Sequence, residues 1–270
     1  MTSAANDLVL DVRDITLRFG GLTSLDAVSL QMERGSITAV IGPNGAGKTS
    51  LFNCLTGAYT PQEGSAAFRP DAQTTRQLLG KQPHVVNRYG IARTFQNIRL
   101  FPALSALENV QVGVESRQKS GPIATMLGLP NARRDDRNSV QAAMKLLEQV
   151  ELADKAHTIA SSLSYGGQRR LEIARALGTQ PSLLLLDEPA AGTNPVEKRE
   201  LTLLIRQIAD TGVSVLLIEH DMKLVMSVAS HVMVLNFGKV IADGDPQAVQ
   251  RDPAVIEAYL GSVAEEEEAS

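Results

Sequence analysis

The chain has 270 residues, 43% hydrophobic and 21% charged, with a net charge of −4. This composition supports a globular core and lacks the basic excess that nucleic-acid binding requires. The one cysteine, Cys54, excludes an internal disulfide and a cysteine-rich metal site, and is expected to be a small buried core residue.

Met1 to Asp7 lacks the basic start and apolar stretch of a secretory signal. The apolar runs Leu183 to Leu186 and Val213 to Ile218 are far shorter than the ~20 residues of a membrane span. The expectation is a cytoplasmic protein, soluble by itself.

The first forty residues read as β-structure, with strands at Leu8 to Val12, Ile15 to Phe19 and Val28 to Glu33 broken by turns. A short buried strand follows at Ser36 to Ile41, then a helix from Lys48 to Gly57. Between them lies Gly42-Pro43-Asn44-Gly45-Ala46-Gly47-Lys48-Thr49, which fits the phosphate-loop pattern G-x-x-x-x-G-K-[ST] in its required strand–loop–helix setting. Glycines let successive N–H groups turn inward to cradle phosphate oxygens, and the helix terminus adds partial positive charge. Lys48 is expected to reach the β- and γ-phosphates and the Thr49 hydroxyl to ligate Mg²⁺. Ser50 follows in the same helical turn. These residues predict binding of a nucleoside triphosphate.

Residues 60–95 are irregular, with prolines and glycines throughout, and are expected to hold short strands and one or two helices. From Asn97 to Ser162 the pattern is helical. Ser105 and Glu108 form a capping box, 117–130 is a connection, and Asn138 to Val150 is an amphipathic helix with Ala142, Ala143, Leu146, Leu147 and Val150 on one side. After Ser164 strands and helices alternate. Strands at Leu183 to Leu186, Val213 to Ile218, Val232 to Leu235 and Val240 to Ala242 enclose helices at Val196 to Ala209 and Met222 to Ala229. Continuous apolar strands joined by helices imply a mostly parallel sheet covered on both faces, an α/β fold. Asp252-Pro253 opens a last helix, and Glu265 to Glu268 reads as a solvated end.

The apolar strand Leu183 to Leu186 ends in Asp187-Glu188, and chemistry in open α/β sheets gathers at the carboxyl ends of strands. Asp187 is the candidate for holding Mg²⁺, and Glu188 for activating the attacking water. His220, at the end of the next strand, is placed to hydrogen-bond the γ-phosphate. His84, His157 and His231 are read as structural or surface residues.

Leu163-Ser164-Tyr165-Gly166-Gly167-Gln168 with Arg169 to Leu177 resembles the signature segment of ATP-binding-cassette ATPases. Thr94-Phe95-Gln96 resembles that family's Q-loop, Pro189 to Pro195 its D-loop, and His220 its switch histidine. The resemblance spans Leu8 to Gly261 and rests on five ordered motifs.

It implies one ATPase domain over 1–263. The P-loop core with its antiparallel β-subdomain would occupy 8–96 and 163–245, a helical subdomain 97–162, and a C-terminal helical extension 246–263, before an acidic tail at 264–270. It further implies that Phe19 takes the place of the aromatic that stacks on adenine, the other reading being a core Phe on a strand. Gln96 would touch Mg²⁺ or the water. Ser164, Tyr165, Gly166 and Gly167 would act on the ATP of a facing second ATPase subunit, with Ser164 and the glycines preceding a helix from Gln168 to Leu177. Two motifs depart from the family pattern. Tyr165 and Gly167 stand where Gly and Gln are usual, and Asn194 stands where the D-loop usually ends in Asp.

A narrower resemblance, carried by Ala92 to Phe101, Ile218 to Met222, Leu163 to Gly166 and the segments around Gly244-Asp245-Pro246 and Tyr259-Leu260-Gly261, is to the ATPases of branched-chain amino-acid importers. It implies ATP and Mg²⁺ as cofactors, and a homo- or heterodimer held to the inner face of the membrane by permease subunits, with a solute-binding protein beyond them and no nucleic acid. Ile98, Leu100, Phe101 and Pro102 would either form a permease groove or pack within the helical subdomain. Urea, short amides and other amino acids remain open as solutes. A soluble non-transport ATPase of the same fold lacks its usual marks here, namely coiled-coil insertions, zinc cysteines, paired cassettes or a basic surface. A small-molecule kinase would leave Leu163 to Leu177 unexplained.

Overall fold

The computed structural model describes residues 8–117 and 130–259, with the backbone alone for 130–136. Residues 118–129 of the expected connection, the first seven residues, the end of the expected C-terminal extension from 260 and the acidic tail lie outside the described residues.

Two sheets organise the fold. A four-stranded antiparallel sheet has the order β2-β1-β4-β5, from β1 (Leu8–Phe19), β2 (Leu22–Glu33), β4 (Glu63–Phe68) and β5 (Arg76–Gln77). A six-stranded sheet has the order β10-β9-β3-β8-β7-β6, from β3 (Ile37–Ile41), β6 (Ile91–Arg93), β7 (Leu183–Asp187), β8 (Ser214–Ile218), β9 (His231–Asn236) and β10 (Lys239–Gly244). Its pairings are parallel except the β9–β10 hairpin. The sequence expectation of a mostly parallel sheet with an antiparallel companion holds.

The helices are α1 (Lys48–Leu55), α2 (Pro83–Tyr89), α3 (Ala106–Glu115), α4 (Pro130–Gln149), α5 (Tyr165–Gly178), α6 (Pro195–Asp210), α7 (Met222–Val228) and α8 (Pro246–Gln250), followed by a helix over 253–259. Single 3₁₀ turns lie at Ala153–Lys155 and Ala160–Ser162. The capping box forms as read, with Ser105 Oγ accepting from Glu108 N and Glu108 returning to Ser105 N.

Alternation along the buried strands divides the core. Leu183 and Leu185 of β7 face the antiparallel sheet and α1, in a cluster with Leu10, Ile15, Phe52 and Phe68. Leu184 and Leu186 face the helices, with Val110, Ala143, Leu147, Leu171 and Ile205. Cys54 is fully buried in the first cluster, and burial pushes its thiol pKa up to about 12.

Several expected boundaries need correction. The helix expected from Asn138 begins at Pro130, and the strand expected from Val28 begins at Leu22. The first two strands are one continuous β1, because the apparent break at Arg13-Asp14 is a bulge rather than a turn. Asp14 takes φ 50°, its N–H donates to Ser29 Oγ (2.9 Å), and the register shifts between Val12 and Ile15. The signature helix begins at Tyr165, not Gln168, so Gly166 and Gly167 lie inside its first turn. The strand leading to His220 ends at Ile218.

Candidate functional site

Strand β3 delivers the chain into a loop that only glycine can build at two points. Gly42 has φ 145°, and a β-carbon there would lie 2.0 Å from the Leu235 carbonyl oxygen. Gly47 has φ 104°, and its β-carbon would lie 2.6 Å from the Ser24 carbonyl oxygen. The loop is fastened from behind by the β9–β10 turn, where Gly238 N donates to Ala46 O (3.0 Å) and Asp26 N donates to Gly238 O (2.9 Å). Gly47 is the N-cap of α1 and no side chain caps that end, so the positive end of the helix dipole faces the loop.

Lys48 is buried, and its Nζ donates to Gly42 O (2.7 Å) and Pro43 O (2.9 Å). Burial lowers its pKa, opposed by the charges of Glu188 and Asp187. Pro43, Asn44, Gly45 and Ala46 complete the loop, and Ser24 Oγ donates to Ser50 Oγ (2.7 Å). Thr49 lines a cavity of about 610 Å³ together with Gln96 and Asp187.

Asp187 is the last residue of β7, and Glu188 stands just beyond it with φ 47°. A non-glycine residue in that region stores about 1–3 kcal/mol of strain, a feature that clusters at functional sites. The conformation is held by Glu188 N donating to Ile218 O (2.9 Å). Both carboxylate oxygens are engaged. Oε1 is 2.6 Å from His220 Nε2, and Oε2 accepts from Gln96 Nε2 (2.8 Å). Two residues singled out separately in the sequence, Gln96 and His220, therefore converge on the carboxylate of a third, Glu188.

Asp187 Oδ2 accepts from Arg93 Nη2 (2.7 Å), while Arg93 Nη1 donates to Asn53 Oδ1 (2.7 Å) and Thr56 Oγ1 (3.2 Å). His220 is held by buried Glu219, whose carboxylate accepts from the backbone N–H of Ala190 (2.7 Å), His220 (3.0 Å) and Asp221 (3.3 Å). Burial raises the pKa of Glu219, against those three bonds.

The signature residues form a separate cluster, since the cavity beside Thr49 is lined by none of them. Ser164 caps α5, its Oγ accepting from Gly167 N (3.2 Å). A β-carbon at Gly166 would lie 2.5 Å from Glu197 Oε1, so the α5 start packs against α6. Asn194 caps α6, its Oδ1 accepting from Val196 N (2.9 Å) and Glu197 N (3.0 Å), a role that an amide fills as well as an acid. Phe19 is 46% exposed and meets Tyr59 edge-on at 5.2 Å, so it is not a core phenylalanine. Phe101 is exposed, while Leu100 packs against the helical cluster.

Sequence reasoning missed Arg93, Glu219 and the pair Arg169–Glu172, all of which touch the site's backbone or carboxylates. Glu219 carried a signal, an acid at the end of an apolar strand. Arg93 and Arg169 carried none.

The chain matches the family described as "ABC transporter" over residues 25–191, and the one described as "Branched-chain amino acid ATP-binding cassette transporter" over 239–265. It is 46% identical over 254 residues to the high-affinity branched-chain amino acid transport ATP-binding protein BraF of Pseudomonas aeruginosa, covering 94% of this chain and 98% of that protein. It is 44% identical to LivG of Escherichia coli, named as the same kind of protein, with the same coverage. Among solved structures it is similar to the ADP conformation of MJ1267, an ATP-binding cassette of an ABC transporter (TM-score 0.81, 31% identity, 94% of this chain and 99% of that one).

Proposed function

The chain belongs to the ATP-binding proteins of ABC transporters, and from that membership we propose that it is the ATPase of a branched-chain amino-acid importer. As a member it binds nucleotide and is an ATPase. No helix among the described residues is long and apolar enough to cross a membrane. By its family membership, the proposed placement is on the cytoplasmic face, held by permease subunits and paired with a second ATPase subunit, with a solute-binding protein delivering the solute outside. The names of the relatives and the match at 239–265 support the choice of solute over urea or short amides.

The observation that carries the reading is the convergence of Gln96 and His220 on Glu188, beside a loop lysine and an acid at adjacent strand ends. In this reading Gly42 to Ser50 cradle the phosphates and Lys48 bears on the terminal ones. Glu188 takes a proton from the attacking water, and Gln96 and His220 aim its two oxygens. Phe19, exposed at the β1–β2 turn, stacks on the base. Ser164 to Gly167 meet the nucleotide of the facing subunit, and Asn194 holds the turn beside them. Residues 97–162 form the helical subdomain of a single domain over 1–263.

Thr49, Asp187 and Gln96 line one cavity with a hydroxyl, a carboxylate and an amide oxygen, a donor set suited to Mg²⁺. No group of three His, Cys, Asp or Glu side chains that could cage a metal occurs among the described residues, which fits a cation shared with the nucleotide. Bound there, Mg²⁺ would neutralise charge on the phosphates.

The test is Glu188→Gln in the full chain. Loss of the base should slow hydrolysis by about 10²–10⁴-fold, with ATP affinity kept and a nucleotide-dependent dimer trapped on size exclusion. Turnover near that of the parent chain sinks the assignment of Glu188. Uptake of labelled leucine rather than urea by the reconstituted transporter tests the solute.

A further inference from the structure

A buried clamp joins α5 to the segment that carries Gln96. Arg169 and Glu172 are each 1% exposed. Arg169 Nη1 donates to Phe95 O (2.6 Å) and Nη2 to Gln96 O (2.8 Å). Glu172 Oε1 accepts from the N–H of Phe95 (3.4 Å) and of Arg99 (3.1 Å), and the two side chains pair at 3.3 Å. One helical turn thus fixes the backbone on both sides of Gln96.

Tyr165 stands one turn upstream on the same helix face, at i−4 from Arg169. Arg169 Nη2 also donates to the Tyr165 hydroxyl (3.0 Å). The same ring rests on the turn leading into α6, where a β-carbon at Gly192 (φ 74°) would lie 3.2 Å from it. One side chain therefore touches the turn before Asn194 and the guanidinium that grips Gln96. A glycine at this position, usual in the signature it resembles, supplies neither contact.

We propose that Tyr165 is a positioning residue, tying the turn at 189–194 to the orientation of Gln96 through Arg169. This rests on the reading of Gln96 and Glu188 as catalytic partners. The physical reason is geometric. Arg169 is buried at the end of this contact, so removing the hydroxyl takes away the protein acceptor that fixes one edge of the guanidinium, which can then tilt, and the Gln96 carbonyl follows. The Gln96 amide lies 2.8 Å from Glu188, and displacements of ~1 Å at such contacts cost large factors in rate.

The experiment is steady-state ATP hydrolysis by the full chain in its assembled transporter, for Tyr165→Phe, Gln96→Ala and the double variant. Tyr165→Phe keeps the ring, and should lower kcat about threefold to tenfold with KM within about twofold. In the Gln96→Ala background it should cause no further loss. Arg169→Lys, which keeps the charge and loses the fork, should reproduce the fall in kcat. An unchanged kcat in Tyr165→Phe, or the same fold-loss in both backgrounds, overturns the proposal; the second result would mean that Tyr165 acts on the facing nucleotide instead. Glu188→Gln in parallel separates the two failures. If it stays inactive while Tyr165 and Gln96 prove independent, only this inference falls; if it turns over normally, the catalytic reading falls.

Discussion

Replacing Arg169 by methionine leaves Glu172 as a buried carboxylate at 1% exposure without its counter-ion. Breaking a buried pair from one side costs about 3–5 kcal/mol. Glu172 keeps two backbone donors, at Phe95 and Arg99, which argues for the low end. Against that, the Phe95 and Gln96 carbonyls each lose a donor, worth about 1 kcal/mol apiece. The expected loss is about 4 kcal/mol, or about 8 °C in Tm for a domain of this size. The sign of the pH dependence follows from Glu172. Burial raises its pKa above the ordinary 4.5 in the folded chain, so its contribution is most favourable below that value and is lost as pH rises through the folded pKa. Removing the arginine raises the folded pKa further, so the deficit should be greatest at pH 8 and shrink toward pH 5. Arg169→Met/Glu172→Leu removes both charges and should recover at least half of the loss. Thermal unfolding followed by circular dichroism across that range reads all three effects. A single variant within about 1 °C of the parent chain, or a double variant less stable than the single, refutes the reasoning.

Two further outcomes are expected. Cys54, fully buried with its thiol pKa pushed up to about 12, should be inert to a thiol-reactive disulfide at pH 8 in the folded chain and react at once in denaturant; prompt reaction without denaturant would contradict the packing of α1. Phe19→Ala should weaken ATP binding about tenfold, the worth of one base–aromatic stack, and leave binding of inorganic tripolyphosphate unchanged. An equal loss for both ligands would mean that Phe19 only shapes the β1–β2 turn.

The parts of the site that were legible in sequence are those whose position follows from chain direction. A strand ending in Asp187-Glu188, another running toward His220, and a glycine loop before a helix all converge at one sheet edge once the strands are parallel. Gln96 was reached through resemblance alone, since nothing in Thr94-Phe95-Gln96 announces a contact with Glu188. The bulge at Asp14 was misread because Asp is a turn former, and only pairing on both sides of β1 reveals that the strand continues. The start of α5 was misread because glycines usually delay a helix. Gly166 sits in the first turn because Glu197 leaves no room for a β-carbon, a fact of tertiary packing. Arg169 and Glu172, at i and i+3, look like an exposed surface pair until the 95–99 segment is laid over them.

Glu188 is aimed by groups from two separate segments, and each segment has its own buried support. Gln96 belongs to the stretch gripped by Arg169 and Glu172 from α5. His220 belongs to the turn after β8, gripped by Glu219, which also holds Ala190 beyond Glu188 itself. Neither support touches the carboxylate it serves. The strained φ of 47° at Glu188 is tolerated because its N–H is fixed to Ile218 and its two oxygens are fixed from opposite sides. A shift of α5 relative to the sheet would carry Gln96 away while leaving His220 in place, so one oxygen of Glu188 would be released and the other kept. In this geometry the two oxygens of Glu188 answer to different parts of the chain, and a helix that lines no part of the cavity bears on one of them.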